Sequence, residues 1–155
     1  MTMVGQQVPD VSFEGPDGAQ TTLAAWRGKP LVLYFYPKDD TSGCTREAQD
    51  FTALADQFEA AGVALLGASK DSTKKHKQFT EKYALRVPLA SDAAGALIEA
   101  CGAWVEKSMY GRKYMGIDRS TLLIDAHGRV VREWRKVKVP GHAAEVLKAA
   151  QALAG

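Results

Sequence analysis

Cysteine is scarce in this chain, with two in 155 residues. That is too few for a disulfide-stapled scaffold, so each cysteine is either chemical or a small buried hydrophobe. Charge bias is missing as well. Twenty basic and 18 acidic residues give a formal net charge of +2, which argues against bulk nucleic-acid binding. No apolar run approaches membrane-spanning length, so no membrane partner is expected. Residues 1–7, Met-Thr-Met-Val-Gly-Gln-Gln, have neither a basic n-region nor an apolar h-region. The expected compartment is therefore the cytoplasm. The three histidines, His76, His127 and His142, lie on separate segments and show no ligand spacing with the cysteines, so no metal is expected. There is no internal repeat, low-complexity tract or linker. One domain over residues 1–155 is expected, long enough to bury a core without metal or disulfide support.

What the chain does have is Cys44 in an informative setting. The apolar run Leu31–Tyr36 reads as a buried strand. It is followed by Pro37-Lys38-Asp39-Asp40-Thr41-Ser42-Gly43-Cys44 and then by a helical pattern from Thr45 to Ala61. A cysteine at a strand-to-helix turn faces the unpaired N–H groups and dipole of a helix N-terminus. These favour the thiolate, which is the nucleophilic form.

Around that turn the chain alternates. Residues 11–22 predict a hairpin about Pro16-Asp17-Gly18. The helix over 45–61 buries Ala48, Phe51, Leu54, Ala55 and Phe58 and stops at Gly62. Val63–Ala68 is a continuous apolar strand. A helix over 71–83 is capped by Asp71 or Ser72, and Val87–Ala90 is a short strand. Ala93–Trp104 reads as a helix. Ser120–Asp125 and Arg129–Trp134 form a hairpin, and residues 141–154 make a terminal helix that buries Ala144, Val146, Leu147, Ala150 and Leu153. The order implies an α/β, thioredoxin-like fold: a mixed central β-sheet flanked by helices on both faces, with an N-terminal hairpin. Ligands in such sheets sit off the carboxyl ends of the strands, where Cys44 lies.

Pro37, Thr41 and Cys44 form a Pro-x-x-x-Thr-x-x-Cys pattern similar to that of peroxiredoxins. The full string Tyr34–Glu47 resembles the peroxiredoxin Q, or bacterioferritin comigratory protein, subfamily. Two further blocks agree: Glu106–Gly111 with Gly116–Asp125, and Trp134–His142. The resemblance covers nearly the whole chain. It implies a thiol peroxidase that reduces hydrogen peroxide and organic hydroperoxides without a cofactor. By the same resemblance Cys44 is the peroxidatic nucleophile and Thr41 hydrogen-bonds thiolate and peroxide. Arg119 donates to thiolate and peroxide oxygens, and Pro37 shields the site. The chemistry agrees independently, because displacement at an O–O bond needs a thiolate and donors where charge develops. Arg119 cannot lose its charge and offers fixed donors. The N–H groups of Gly43 and Cys44 can add to them. Glu47 either orients Arg119 or is a solvated first-turn acid. Tyr36, next to Pro37, is a candidate pocket residue.

The chain departs from the subfamily in its second cysteine. Many members carry a resolving cysteine five residues after the first, where this chain has Gln49. Others carry it in the next helix, and residues 71–83 contain none. Two readings of Cys101 stand: a buried hydrophobe on a helix face with Leu97 and Trp104, or an unusual resolving cysteine. The first implies a one-cysteine cycle recycled by thioredoxin, glutaredoxin or a low-molecular-weight thiol such as glutathione. The resemblance also implies a monomer or a weak dimer. The basic run Lys70, Lys74, Lys75, His76 and Lys77 reads as a solvated helix face. No histidine is placed near Cys44. The competing function, a thiol–disulfide carrier, wants a second cysteine three positions on, where Glu47 stands.

Overall fold

The computed structural model describes residues 2–154. Its first elements are the strands β1 (Phe13–Glu14) and β2 (Gln20–Thr21), which pair antiparallel as the expected hairpin. A 3₁₀ turn at Leu23–Trp26 leads into β3 (Leu31–Phe35). The helix after it starts earlier than the sequence suggests. α1 spans Ser42–Ala53, so Cys44 lies inside the first turn and not before it. A break at Leu54 divides the expected single helix, and α2 takes up at Ala55–Ala60. Then come β4 (Ala64–Ser69), α3 (Thr73–Tyr83) and β5 (Leu89–Ser91). Ser72 caps α3 by accepting from Lys75 N at 3.2 Å.

The expected Ala93–Trp104 helix shrinks to α4, Ala96–Ala100. Gly102, at φ +73°, ends it: Ala103 N donates to Ile98 O at 2.9 Å, closing a left-handed C-terminal cap. Trp104 is therefore in a strand. β6 (Trp104–Met109) and β7 (Arg112–Ile117) form a separate two-stranded sheet that the sequence pattern did not reveal. Its turn, Tyr110-Gly111, has positive φ at both residues, as a two-residue hairpin turn requires. β8 (Ser120–Ile124) and β9 (Val130–Trp134) pair as expected, and α5 spans His142–Ala154. The buried face of α5 is rotated from the expected one. It uses His142, Ala143, Val146, Leu147 and Ala150, leaving Ala144 and Leu153 exposed.

The main sheet runs β2-β1-β5-β4-β3-β8-β9. Its centre, β3, β4 and β5, is parallel, while β8 pairs antiparallel with β3. β3 alternates between two cores. Leu31, Leu33 and Phe35 pack with Leu66, Leu97, Ile98 and Cys101 on one face. Val32, Tyr34 and Tyr36 pack on the other with Cys44, Phe51, Phe58, Phe79 and Val146. Burying each of these large side chains contributes about 1.5–3 kcal/mol. Gly67, opposite Tyr34, leaves room for its ring, since a Cβ there would meet Tyr34 Cζ at 2.8 Å. The ring lies flat on Phe51 of α1, with centroids 4.8 Å apart. This stack seats α1, and with it Cys44, on the sheet.

Candidate active site

The topology brings three segments to one end of the sheet. β3 delivers the turn 37–41 and the start of α1 from its carboxyl end. β8 runs the other way, and its first residue, Ser120, pairs with Phe35. Arg119, just before it, therefore arrives beside Cys44 although 75 residues separate them.

Thr41 is the N-cap of α1, and Thr45 N donates to Thr41 O at 2.8 Å. The N–H groups of Ser42, Gly43 and Cys44 thus have no acceptor within the helix. They are free donors in the same first turn as Cys44, a residue only 2% exposed. Arg119 Nη2 donates to Cys44 Sγ at 3.3 Å, and Nη1 donates to Glu47 Oε1 at 2.7 Å. One rigid guanidinium fork therefore spans the sulfur and a carboxylate one turn further along α1. Gly43 makes room for it, since a Cβ there would sit 3.1 Å from Arg119 Nη2.

Glu47 is not a solvated acid. It is 1% exposed, and its second oxygen, Oε2, is buried without a partner. A carboxylate satisfied on one side only is poorly compensated for lost water. Burial pushes its pKa up to about 7, against the opposing pull of Arg119. Burial pulls Arg119 down, but the charges of Glu47 and Cys44 and its hydrogen bonds to them hold it above its usual value. The hydroxyl of Tyr34 is likewise buried and unpartnered. Burial first, then the charges of Glu47 and Cys44, raise its pKa well above the ordinary tyrosine value.

The remaining expected residues take these positions. Thr41 Oγ1 donates to Lys38 O at 2.8 Å, so its single proton serves the turn in this state. Pro37 is exposed at the rim. Tyr36 is buried and points its hydroxyl at Asp39. Cys101 packs in the core on the opposite face of the sheet from Cys44 and is fully buried. Burial pushes its thiol up to about 12. Its carbonyl accepts from Arg135 Nη2 at 2.8 Å.

Sequence patterning missed two histidines. His76, counted there in a solvated basic run, is 4% exposed and reaches Asp39 in the turn before Cys44. Its signal was present: His76 and Phe79 stand three apart on the buried face of α3, between lysines that face water. His142 packs edge-on to Phe51 of α1 and bonds Thr121 Oγ1 at 2.8 Å. Burial lowers its pKa to about 4, so the ring is neutral near pH 7. Neither histidine is hydrogen-bonded to Cys44. Among the described residues no group of three His, Cys, Asp or Glu side chains is placed to hold a metal.

A sulfur in the first turn of a helix, off the carboxyl end of β3 in a mixed sheet and held by a fixed arginine, is the arrangement of a thioredoxin-like thiol enzyme. Comparison with known proteins makes this specific. Residues 4–133 match the AhpC/TSA family. The chain is 48% identical to peroxiredoxin Bcp of Xanthomonas campestris over 156 aligned positions, 98% of each chain. It is 46% identical to peroxiredoxin Bcp of Bacillus subtilis, over 94% of this chain and 92% of that one. The solved structure of Xanthomonas campestris peroxiredoxin Q superposes with a TM-score of 0.91 at 47% identity, covering 99% of this chain and 100% of that one. The chain belongs to the AhpC/TSA family, in its peroxiredoxin Q/Bcp branch. It is a thiol peroxidase, acting on peroxides at the expense of thiol reductants. Among the described residues no helix is long and apolar enough to cross a membrane.

Proposed function

We propose that Cys44 is the peroxidatic nucleophile and that the cycle runs on this one cysteine. The observation that carries the reading is the Arg119 fork on Cys44 Sγ and Glu47. The Cys44 thiolate attacks the distal oxygen of the hydroperoxide. An S–O bond forms, the O–O bond breaks, and the departing oxygen takes a proton to leave as water or alcohol. Cys44 is left as the sulfenic acid. Arg119 and the free N–H groups of Gly43 and Cys44 meet the charge that develops on the leaving oxygen. Thr41 serves the sulfur and the peroxide by turning its hydroxyl away from Lys38 O. Pro37 walls the rim and Glu47 holds the fork.

One external thiol then displaces the sulfenic oxygen as water and forms a mixed disulfide. A second thiol releases Cys44. Thioredoxin, glutaredoxin or glutathione fits this role. Cys101 takes no part, because the sheet lies between it and Cys44. Organic hydroperoxides belong among the substrates. The structurally similar bacterioferritin comigratory protein of Xanthomonas campestris, at a TM-score of 0.89 and 48% identity, is described by its alkyl peroxide reduction activity. The enzyme works as a one-domain monomer in the cytoplasm, a reducing compartment in which both cysteines stay free.

The test is intact mass after one equivalent of hydrogen peroxide without added thiol, with and without a sulfenic-acid trap. One trapped sulfenate at Cys44, with Cys101 still open to alkylation after unfolding, is the expected result. A linked Cys44–Cys101 peptide would overturn the one-cysteine cycle, and an adduct of two chains would overturn the monomer.

A further inference from the structure

We infer that His76, through Asp39, is a positioning residue for the peroxidatic turn and holds it in the closed state that reacts with peroxide. The inference rests on Cys44 being the reacting sulfur.

Asp39 sits between Pro37 and Thr41, and its side chain is almost fully buried. One carboxylate oxygen accepts from the Tyr36 hydroxyl, and the other faces His76 Nδ1 at 2.6 Å. His76 Nε2 faces Ala90 O at 2.9 Å. Both ring nitrogens therefore face acceptors, one in the turn and one in β5. Asp39 N donates to Asp71 Oδ2 at 2.8 Å, and that oxygen also accepts from Ser69 Oγ at 2.7 Å. The turn is thus tied to the ends of β3, β4 and β5 and to α3. Asp40 adds Lys82 and Tyr83 as partners and takes a left-handed φ of +60°. That outer tie is exposed, where ion pairs hold little. The buried Asp39–His76 tie has the leverage.

The turn has two conflicting tasks. For oxidation it must keep Thr41 and the N–H groups of Gly43 and Cys44 converged on the peroxide. For recycling it must open, because Cys44, only 2% exposed, is too buried for an external thiol to reach. A tie that favours the closed state therefore speeds the first half-reaction and does not help the second.

Two near-isosteric substitutions separate this from a packing role. In His76→Asn the amide N–H stands where Nδ1 was and can still donate to Asp39. In His76→Gln it stands where Nε2 was and keeps only Ala90. The readouts are the rate of Cys44 oxidation by hydrogen peroxide, the rate at which dithiothreitol reduces preformed sulfenate, and the urea midpoint. We expect His76→Gln to lose roughly tenfold or more in oxidation, the worth of one buried charge-assisted hydrogen bond. His76→Asn should stay much closer to wild type, and reduction should be no slower in either. Equal losses in the two variants, a worse result for His76→Asn, or oxidation and reduction falling together would overturn the inference. If either variant lacks a cooperative urea transition, Tyr36→Phe, which removes the hydroxyl that donates to Asp39 and lies 3.4 Å from His76 Nδ1, is read the same way. Slower oxidation with undiminished reduction supports the tie, and unchanged oxidation overturns it. Wild-type protein that forms no Cys44 sulfenate would instead reject the peroxidatic assignment itself.

Discussion

Arg119→Lys is the sharpest perturbation of the site, because it keeps the charge and removes the fork. The guanidinium reaches Cys44 Sγ and Glu47 Oε1 at once, at 3.3 Å and 2.7 Å, from one planar group. A single ammonium cannot reproduce both directions. The Glu47 contact is the shorter of the two, so the lysine should settle on Glu47 and leave the sulfur. One charge-assisted hydrogen bond lost from a buried anion is worth roughly 1.5–3 kcal/mol, or about 10- to 150-fold in the rate of Cys44 oxidation. The assay is rapid-mixing measurement of sulfenate formation over a range of hydrogen peroxide concentrations. Far-UV circular dichroism and the urea midpoint serve as controls for folding. If Arg119→Lys is oxidised within twofold of the wild-type rate, two-point recognition of sulfur and carboxylate is not what drives the reaction, and the charge alone suffices.

Further predictions concern neighbouring residues. Because folding raises the Glu47 pKa from 4.5 to about 7, the folded protein holds a proton that the unfolded chain releases between those values. This contribution to stability is fully present below pH 4.5 and is lost as pH rises through 7. It amounts to about 3 kcal/mol. Glu47→Gln should abolish that slope in urea midpoints taken from pH 4.5 to 8, and parallel curves for the two proteins would rule the account out. Gly43→Ala should split stability from activity. Alanine favours a helix by up to about 1 kcal/mol, while its Cβ, 3.1 Å from Arg119 Nη2, crowds a fork already held at both tips. The expected result is an unchanged or higher urea midpoint with several-fold slower oxidation; faster or equal oxidation would show that the fork yields freely. Cys101→Ser should keep steady-state turnover with dithiothreitol while losing stability, since a hydroxyl would enter a fully buried apolar site. Collapse of turnover with intact first-step oxidation would make Cys101 a resolving residue.

Local pattern was enough for the secondary elements that position the sulfur. The continuous apolar runs at β3 and β4 and the helical spacing of Ala48, Phe51 and Phe58 each follow from neighbours in the chain, where period and propensity act. The string from Pro37 to Cys44 was legible for the same reason, because the turn and the first turn of α1 are made by consecutive residues. Where local signals conflicted, the pattern failed. Ala93–Trp104 is apolar at helical spacing, but the left-handed backbone at Gly95 and Gly102 confines the helix to five residues. Residues 104–117 alternate weakly, and both faces of their hairpin expose side chains, so no buried stripe marked them.

The sequence by itself determined that a cysteine opens a helix after a core strand, and that an arginine waits 75 residues on. Only the tertiary structure decided what those residues meet. The antiparallel entry of β8 puts Arg119 at the sulfur. The packing of α1 against the sheet buries Glu47 and makes it a partner of Arg119. The face of α3 turns a histidine in a basic run into an anchor for the turn. Cys101 is set apart from Cys44 by the sheet itself. Each is a long-range contact whose energy depends on burial and on the distance between groups remote in sequence, and neither quantity is encoded in local spacing.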